Sequence, residues 1–83
     1  MILEFYGQEC SHCIRMKPLV KKLEEETGIK VESYEVWHNN ENVKKMQEYD
    51  KGLCGGVPFF YNTETKGYVC GEAPYESFKK SLG

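Results

Sequence analysis

Two cysteines near the N-terminus have the spacing of a redox-active pair. Cys10 and Cys13 form a Cys-x-x-Cys motif directly after the apolar run of residues 2–6. Two sulfurs at this spacing at the start of a helix can close a small disulfide ring. The partial positive charge at a helix N-terminus also favours the thiolate of the first cysteine, which is the form that attacks disulfides. The motif therefore predicts a dithiol that exchanges with other disulfides.

A zinc site is the main alternative for this motif, because Cys-x-x-Cys supplies half of many such sites. A second close pair should then follow, but fifteen residues separate Cys54 from Cys70. A purely structural disulfide between Cys10 and Cys13 would constrain little of the unfolded chain, because the ring is so short. The spacing favours a redox pair with no metal, and a zinc or iron–sulfur module remains the non-enzymatic alternative.

Two side chains beside the cysteines are predicted to act in opposite directions on the ionisation of the Cys10 thiol. The imidazole of His12 can donate a hydrogen bond to the Cys10 thiolate, which would stabilise the reduced form. The carboxylate of Glu9 would instead raise the pKa of the Cys10 thiol, because it places a negative charge nearby. His12 is thus a candidate catalytic residue, with an exposed loop residue as the alternative, whereas His38 is assigned no role.

Composition limits the partners of the chain. Its 83 residues suffice for one domain, 1–83, and a net charge of −2 without a basic stripe argues against nucleic acid. No apolar run approaches the roughly eighteen residues that span a bilayer, so no membrane partner is expected. The N-terminus lacks the basic segment and cleavage site of a secretory leader, which favours a cytoplasmic location. The chain is expected to be a monomer. In that compartment a Cys-x-x-Cys motif is more often redox-active or metal-binding than structural.

Hydrophobic periodicity and the residues that end helices and strands predict seven elements in the order β-α-β-α-β-β-α. The predicted strands are residues 1–6, 29–37, 57–61 and 68–70, and the predicted helices are residues 13–27, 39 or 40 to about 49, and 74 onward. A β-α-β unit makes the first two strands parallel, and the late hairpin is antiparallel. The sequence thus predicts an α/β domain with a four-stranded mixed sheet and helices on both faces.

This order of elements, with Cys-x-x-Cys at the first helix, resembles the thioredoxin superfamily over nearly the whole chain. Four further positions match the family: a proline in the active-site helix, a cis-proline before a strand, a buried acid in the first strand and a glycine after the last strand. They are Pro18, Pro58, Glu4 and Gly71. The extra N-terminal strand and helix of full thioredoxins are absent, as in glutaredoxins. The resemblance therefore implies a minimal thioredoxin-like fold.

The resemblance also implies a role for each site residue. Cys10 would attack a substrate disulfide, and Cys13 would resolve the mixed disulfide. Glu4 would accept the Cys13 proton, since burial raises a carboxyl pKa. A glutamate that faces solvent from a strand edge is the alternative for Glu4.

Substrate binding would fall to residues around the motif and the cis-proline. The residue before Pro58 would offer backbone hydrogen bonds to a substrate strand. The predicted substrate-binding residues are Ser11, Val57, Pro58 and Gly71.

The resulting prediction is a thiol–disulfide oxidoreductase that acts on protein disulfides. A thiol or flavoprotein reductant would return its cysteines to the reduced form. It needs no cofactor beyond its own redox-active disulfide. Its Cys-x-His-Cys centre resembles those of protein disulfide isomerases and periplasmic oxidants. The alternative is a glutaredoxin-like reductase with glutathione as co-substrate, because Gly56-Val57-Pro58 resembles the glutaredoxin Thr-Val-Pro. Gly56, however, lacks the side chain of the threonine in that motif.

The remaining cysteines and aromatic residues receive weaker expectations. Cys54 lies four residues before Pro58 and is either a regulatory thiol or a small loop residue. Cys70 is expected to be a buried small hydrophobe. Hairpin pairing should set Cys70 opposite Phe59 and leave Cys54 further along the chain, so no disulfide between these two cysteines is expected. Trp37 and other large aromatics are expected in the core, with a peptide-docking rim of Trp37 and Tyr6 as the alternative.

Overall fold

The computed structural model describes residues 1–83 and contains three helices and one four-stranded sheet. In chain order, the elements are β1 (Ile2–Tyr6), α1 (Ser11–Thr27), β2 (Val31–Glu35), α2 (Asn40–Asp50), β3 (Phe59–Asn62), β4 (Tyr68–Cys70) and α3 (Tyr75–Leu82). The strand order across the sheet is β2-β1-β3-β4. β1 is parallel to β2 and antiparallel to β3, and β4 is antiparallel to β3. The predicted α/β class and mixed sheet are confirmed.

The sheet is covered on both faces, as predicted. α1 and α3 pack on one face, where the core residues are Ile2, Met16, Val20, Leu23, Phe60, Val69, Phe78 and Leu82. α2 packs on the other face, where the core residues are Leu3, Phe5, Val36, Met46 and Phe59. Alternate residues of β1 enter the two cores, because successive side chains of a strand point to opposite faces. None of the three helices is both long and apolar enough to cross a bilayer.

α1 begins two residues earlier than predicted. The side chain of Cys10 is its N-cap and accepts a hydrogen bond from the backbone N–H of Cys13. That bond satisfies one of the donors that a helix start leaves unpaired, so the first turn forms ahead of the apolar periodicity. Gly28 ends the helix in the left-handed region, as predicted, with φ of 72°.

Two strands, β2 and β3, depart from a predicted bound by two residues. β2 ends at Glu35 because the carboxylate of that residue accepts the backbone N–H groups of Trp37 and His38, which turns the chain out of the sheet. β3 begins at Phe59, so Val57 and Pro58 lie in the preceding loop. The peptide bond between them is cis.

The prediction that Cys54 and Cys70 do not pair is wrong. Cys70 does lie opposite Phe59 in the register of β3 and β4. However, the carboxylate of Asp50 accepts the backbone N–H groups of Cys54 and Gly55 and folds the loop of residues 51–57 back toward the sheet. The Cα atoms of the two cysteines are therefore only 5.4 Å apart, and a disulfide joins them. Cys70 is exposed rather than buried.

Candidate functional site

The Cys-x-x-Cys motif lies at the carboxyl edge of β1, where the loop after Tyr6 enters α1. The backbone N–H of Cys10 donates to the Gly7 carbonyl at 3.1 Å, and the N–H of Cys13 donates to Cys10 Sγ at 3.2 Å. Both thiols are free. Cys10 is 5% exposed and Cys13 is 1% exposed, so solvent reaches Cys10 more readily.

The thiol of Cys13 is held in its protonated form. Burial first, and the hydrogen bond with Cys10 second, raise its pKa to about 12, although the backbone N–H of Gly7 acts in the opposite direction. Almost no thiolate therefore forms at Cys13 near neutral pH. Cys13 can act as a nucleophile only if another group accepts its proton.

Glu4 is a group that can accept this proton. Its side chain is 6% exposed, and Ser33 Oγ donates to its Oε1 at 2.7 Å. Burial raises the pKa of the Glu4 carboxyl, although the hydrogen bond from Ser33 and the charge of Lys17 act in the opposite direction. Glu4 and Cys13 line one cavity of about 410 Å³, which gives water access to both groups. The predicted burial of Glu4 is confirmed, and the alternative of a solvent-facing glutamate is wrong.

His12 contacts Glu72 rather than the thiol of Cys10. Its Nδ1 lies against Glu72 Oε1, and Arg15 donates to the same oxygen from Nε and from its terminal nitrogen at 3.0 and 2.8 Å. Arg15 first, and His12 second, lower the pKa of Glu72 to about 2. The predicted hydrogen bond from His12 to Cys10 is absent in this structure, where the donor to Cys10 Sγ is the Cys13 backbone. Only the i, i+3 spacing of His12 and Arg15 on α1 could have indicated this cluster.

Glu9 is likewise directed away from the thiols. Both of its carboxylate oxygens contact His38 Nε2, at 2.8 and 2.9 Å. This contact raises the pKa of His38, a residue to which the sequence assigned no role. The signal for the pair was available, because β1 and β2 are parallel and the residues that follow them meet at one edge of the sheet.

Glu35 joins Glu9 and His38 in a group whose ligand atoms all lie within 4.8 Å of one another. This spacing would suit a metal ion. However, the Glu35 carboxylate already accepts three backbone N–H groups, one of them from Gln8 at 2.9 Å. Its evident role is to close the turn after β2. The group contains neither cysteine of the Cys-x-x-Cys motif.

The turn after β4 contacts both the loop that contains the cis-proline and the first turn of α1. The Gly71 N–H donates to the Pro58 carbonyl at 2.8 Å, and the neighbouring Glu72 contacts His12. Gly71 has φ of 84°, which favours glycine. Val57 is half-buried, and its own backbone N–H and C=O form no hydrogen bond in the chain. Ser11, the remaining predicted substrate-binding residue, is exposed at the first position of α1.

Trp37 forms a rim beside this loop instead of entering the core. It is 50% exposed and packs over Gly7, where an added Cβ would lie 2.2 Å from the indole ring. Trp37, Val57 and Val36 line one cavity of about 280 Å³. The expectation of a core tryptophan is wrong, and the alternative of an exposed rim describes its position.

Comparison of the chain with protein-family models and with curated protein sequences finds no match. The residues and geometry described above are therefore the basis for assigning a function.

Proposed function

We propose that this protein is a thioredoxin-like thiol–disulfide oxidoreductase that reduces or exchanges disulfides in protein substrates. The observation that carries the proposal is the arrangement of the two free thiols. Cys10 is the N-cap of α1, and the backbone N–H of Cys13 donates to its sulfur. A backbone donor and a helix N-terminus both stabilise a thiolate at that position. The strand order β2-β1-β3-β4 supports the thioredoxin-like fold.

The reaction runs in two exchanges. The Cys10 thiolate attacks one sulfur of the substrate disulfide, which breaks that bond, forms a mixed disulfide and releases the first substrate thiolate. Cys13 then loses its proton and attacks Cys10 Sγ, which releases the second substrate thiolate and leaves a Cys10–Cys13 disulfide. Two electrons pass from the dithiol to the substrate. A thiol or flavoprotein reductant would return the pair to its reduced form.

Glu4 acts as the proton acceptor in the second exchange. The Cys13 thiol, with a pKa of about 12, cannot ionise unaided at neutral pH. Glu4 faces the cavity that Cys13 also lines, and its buried carboxylate binds a proton more readily than an exposed one does. Water in that cavity would connect the two groups.

The segment around Val57 and Trp37 would dock the substrate. The unpaired backbone N–H and C=O of Val57 can bond to an extended substrate segment. The exposed indole of Trp37 and the adjacent cavity offer apolar area for a neighbouring side chain. Backbone recognition of this kind is tolerant of sequence, so we propose a protein disulfide as the substrate.

Reduction of glutathione mixed disulfides is the less favoured function. The acidic residue that would bind the glutathione ammonium group is Glu72, but its Oε1 is already in contact with Arg15 and His12. Glutathione would have to displace those two cationic or polar partners. This competition favours protein substrates over glutathione.

The experiment follows the reduction of a protein disulfide by the purified chain with a dithiol as the terminal reductant. We expect Cys10→Ser to abolish turnover and Cys13→Ser to accumulate a mixed disulfide between Cys10 and the substrate, detected by mass spectrometry. Ile14→Ala is a matched control, because Ile14 is half-exposed on the same turn and has no thiol. Retained protein-disulfide turnover in Cys10→Ser would refute the proposal. Glutathione-dependent turnover that survives in Cys13→Ser would favour the glutaredoxin-like alternative, and bound zinc or iron would favour the metal-binding one.

A further inference from the structure

The second cysteine pair lies at the surface, next to the proposed substrate-docking segment. Its disulfide joins Cys54, in the loop of residues 51–57, to Cys70 at the end of β4. Cys70 is exposed and Cys54 is partly buried, so a thiol can approach the bond from solvent. Exposed disulfides are among those that are labile or regulatory, whereas structural disulfides resist reduction by cellular thiols.

We propose that Cys54 and Cys70 form a second redox couple, whose reduction by thiols releases the loop of residues 51–57 and weakens the docking of disulfide substrates. The existence of the couple is independent of the proposed function. Its effect on docking rests on the proposed function.

Few hydrogen bonds hold this loop. The Asp50 carboxylate accepts the N–H groups of Cys54 and Gly55 at 2.5 and 2.8 Å, and the Asp50 carbonyl accepts the N–H of Leu53 at 2.8 Å. These three bonds all originate from one residue at the end of α2. Most of the loop is exposed, and three of its residues are glycines, which lose the most backbone entropy when they are ordered. Cys54 and Val57 also pack against the core residues under α2, but no hydrogen bond joins the loop to β4, so the disulfide is the covalent link between them.

The loop controls the surface on which a substrate would dock. Gly55, Gly56 and Val57 line the same cavity as Trp37. Val57 also supplies the unpaired backbone groups that would bond to the substrate. If the disulfide is broken, these groups must be ordered again when substrate binds, and that entropy opposes binding. Reduction should therefore raise KM for a protein disulfide and leave the chemical step at Cys10 unaffected.

The reduction itself is an ordinary thiol–disulfide exchange. A thiolate attacks Sγ of Cys70, the more exposed of the two residues, and the Cys54 thiolate leaves and takes up a proton. A second thiol attacks the resulting mixed disulfide and releases Cys70. Cys54 and Cys70 together gain two electrons and two protons, and the two attacking thiols are oxidised to a disulfide.

The first test titrates the native chain against mixtures of reduced and oxidised glutathione. Free thiols are trapped by alkylation, and each cysteine is mapped by mass spectrometry, so that the two pairs are measured separately. We expect Cys54 and Cys70 to become reduced together within the glutathione range while circular dichroism shows a folded chain. A disulfide that persists in fully reduced glutathione, or that opens only when the chain unfolds, would overturn the proposal. Because Cys10 and Cys13 are read in the same titration, a failure of their couple is seen separately.

The second test measures docking in the variant Cys54→Ser/Cys70→Ser, which keeps Cys10 and Cys13 intact. Loss of order at about one loop residue corresponds to roughly a tenfold rise in KM for a protein disulfide, with kcat within about twofold of the native value. In Cys70→Ser, amide exchange at Cys54 and Gly55 should accelerate by at least about tenfold, since both amides bond only to Asp50. An unchanged KM together with unchanged exchange would refute the loop-release mechanism.

Discussion

Replacement of Glu4 by glutamine tests the proton path of the proposed reaction. Glutamine keeps the size of the side chain and can still accept the hydrogen bond from Ser33, but it cannot accept a proton near neutral pH. The resolving thiol has a pKa of about 12, so only about one Cys13 in 10⁵ is ionised at pH 7. An unperturbed thiol with a pKa of about 8.5 would be ionised in about one molecule in 30. The buried thiol therefore depends strongly on a base.

We expect Glu4→Gln to slow the resolving step by roughly 10²-fold or more at neutral pH, which is the ordinary contribution of a positioned base. The deficit should shrink as the pH rises, because hydroxide then takes the proton of Cys13 directly. The assay loads Cys10 with a chromogenic aromatic thiol as a mixed disulfide. Stopped-flow absorbance then follows the release of that thiol as Cys13 attacks.

Glu24→Gln is the matched control. Glu24 lines the same cavity as Glu4 and Cys13, but its carboxylate accepts the backbone N–H of Val31, a contact that glutamine preserves. The control should resolve the mixed disulfide at the native rate. Equal rates for Glu4→Gln and the native chain at every pH would refute the role of Glu4 as a base.

The same substitution has a predicted effect on stability. Burial raises the pKa of Glu4 above its ordinary value of 4.5, so the folded chain binds this proton more tightly than the unfolded chain does. The free energy of unfolding of the native chain therefore falls as the pH rises from 4.5 through the raised pKa. Glutamine has no such proton, so the free energy of unfolding of Glu4→Gln does not fall for this reason. Urea unfolding should therefore show that the stability of the variant relative to the native chain increases over that pH range.

Three further predictions concern the surroundings of the site. Gly7→Ala should displace the indole of Trp37, because the new Cβ would lie 2.2 Å from that ring. The fluorescence of this single tryptophan should change, and the free energy of unfolding should fall by about 1–3 kcal/mol. Asn62→Ala removes a buried amide that bonds to three backbone groups, so urea unfolding should show a loss of about 2–3 kcal/mol. Glu9→Gln removes the carboxylate that raises the pKa of His38, and an NMR titration should give a lower pKa for that imidazole.

Each of these predictions has a control or an outcome that contradicts it. Gly56→Ala should leave the tryptophan spectrum unchanged, because nothing lies within 4 Å of a Cβ at that position. An Asn62→Ala variant as stable as the native chain would mean that water replaces the lost hydrogen bonds. Glu41→Gln, an exposed change at the start of α2, should leave the His38 titration unchanged.

The sequence predicted most of the elements because their signals are local. The helical spacing that ends at Gly28 and the apolar positions of α2 were recognisable without any tertiary contact. The errors in the bounds of the elements occur where one side chain bonds to backbone groups near it, a contact that hydrophobic periodicity does not indicate. β2 ended early because Glu35 bonds to the backbone that follows it, and α1 began early because the sulfur of Cys10 caps it.

The candidate site was predicted to a similar degree. The position of Cys10 and Cys13 at the start of α1 followed from their spacing, and the burial of Glu4 followed from its apolar strand. The partners of the charged residues did not, because His12 meets Glu72 across 60 residues of chain. Local sequence cannot indicate which of many exposed charges will meet at such a separation.

The sequence by itself therefore determined the dithiol motif, the order of the elements and the α/β class, since each depends on residue type and short-range spacing. Only the tertiary structure decided the pairing of Cys54 with Cys70, the direction of His12 and Glu9 away from the thiols, and the exposure of Trp37. These features depend on how the loops turn after the strands end. That turning is governed by individual side-chain-to-backbone hydrogen bonds, such as those of Asp50, which leave no periodic pattern in the sequence.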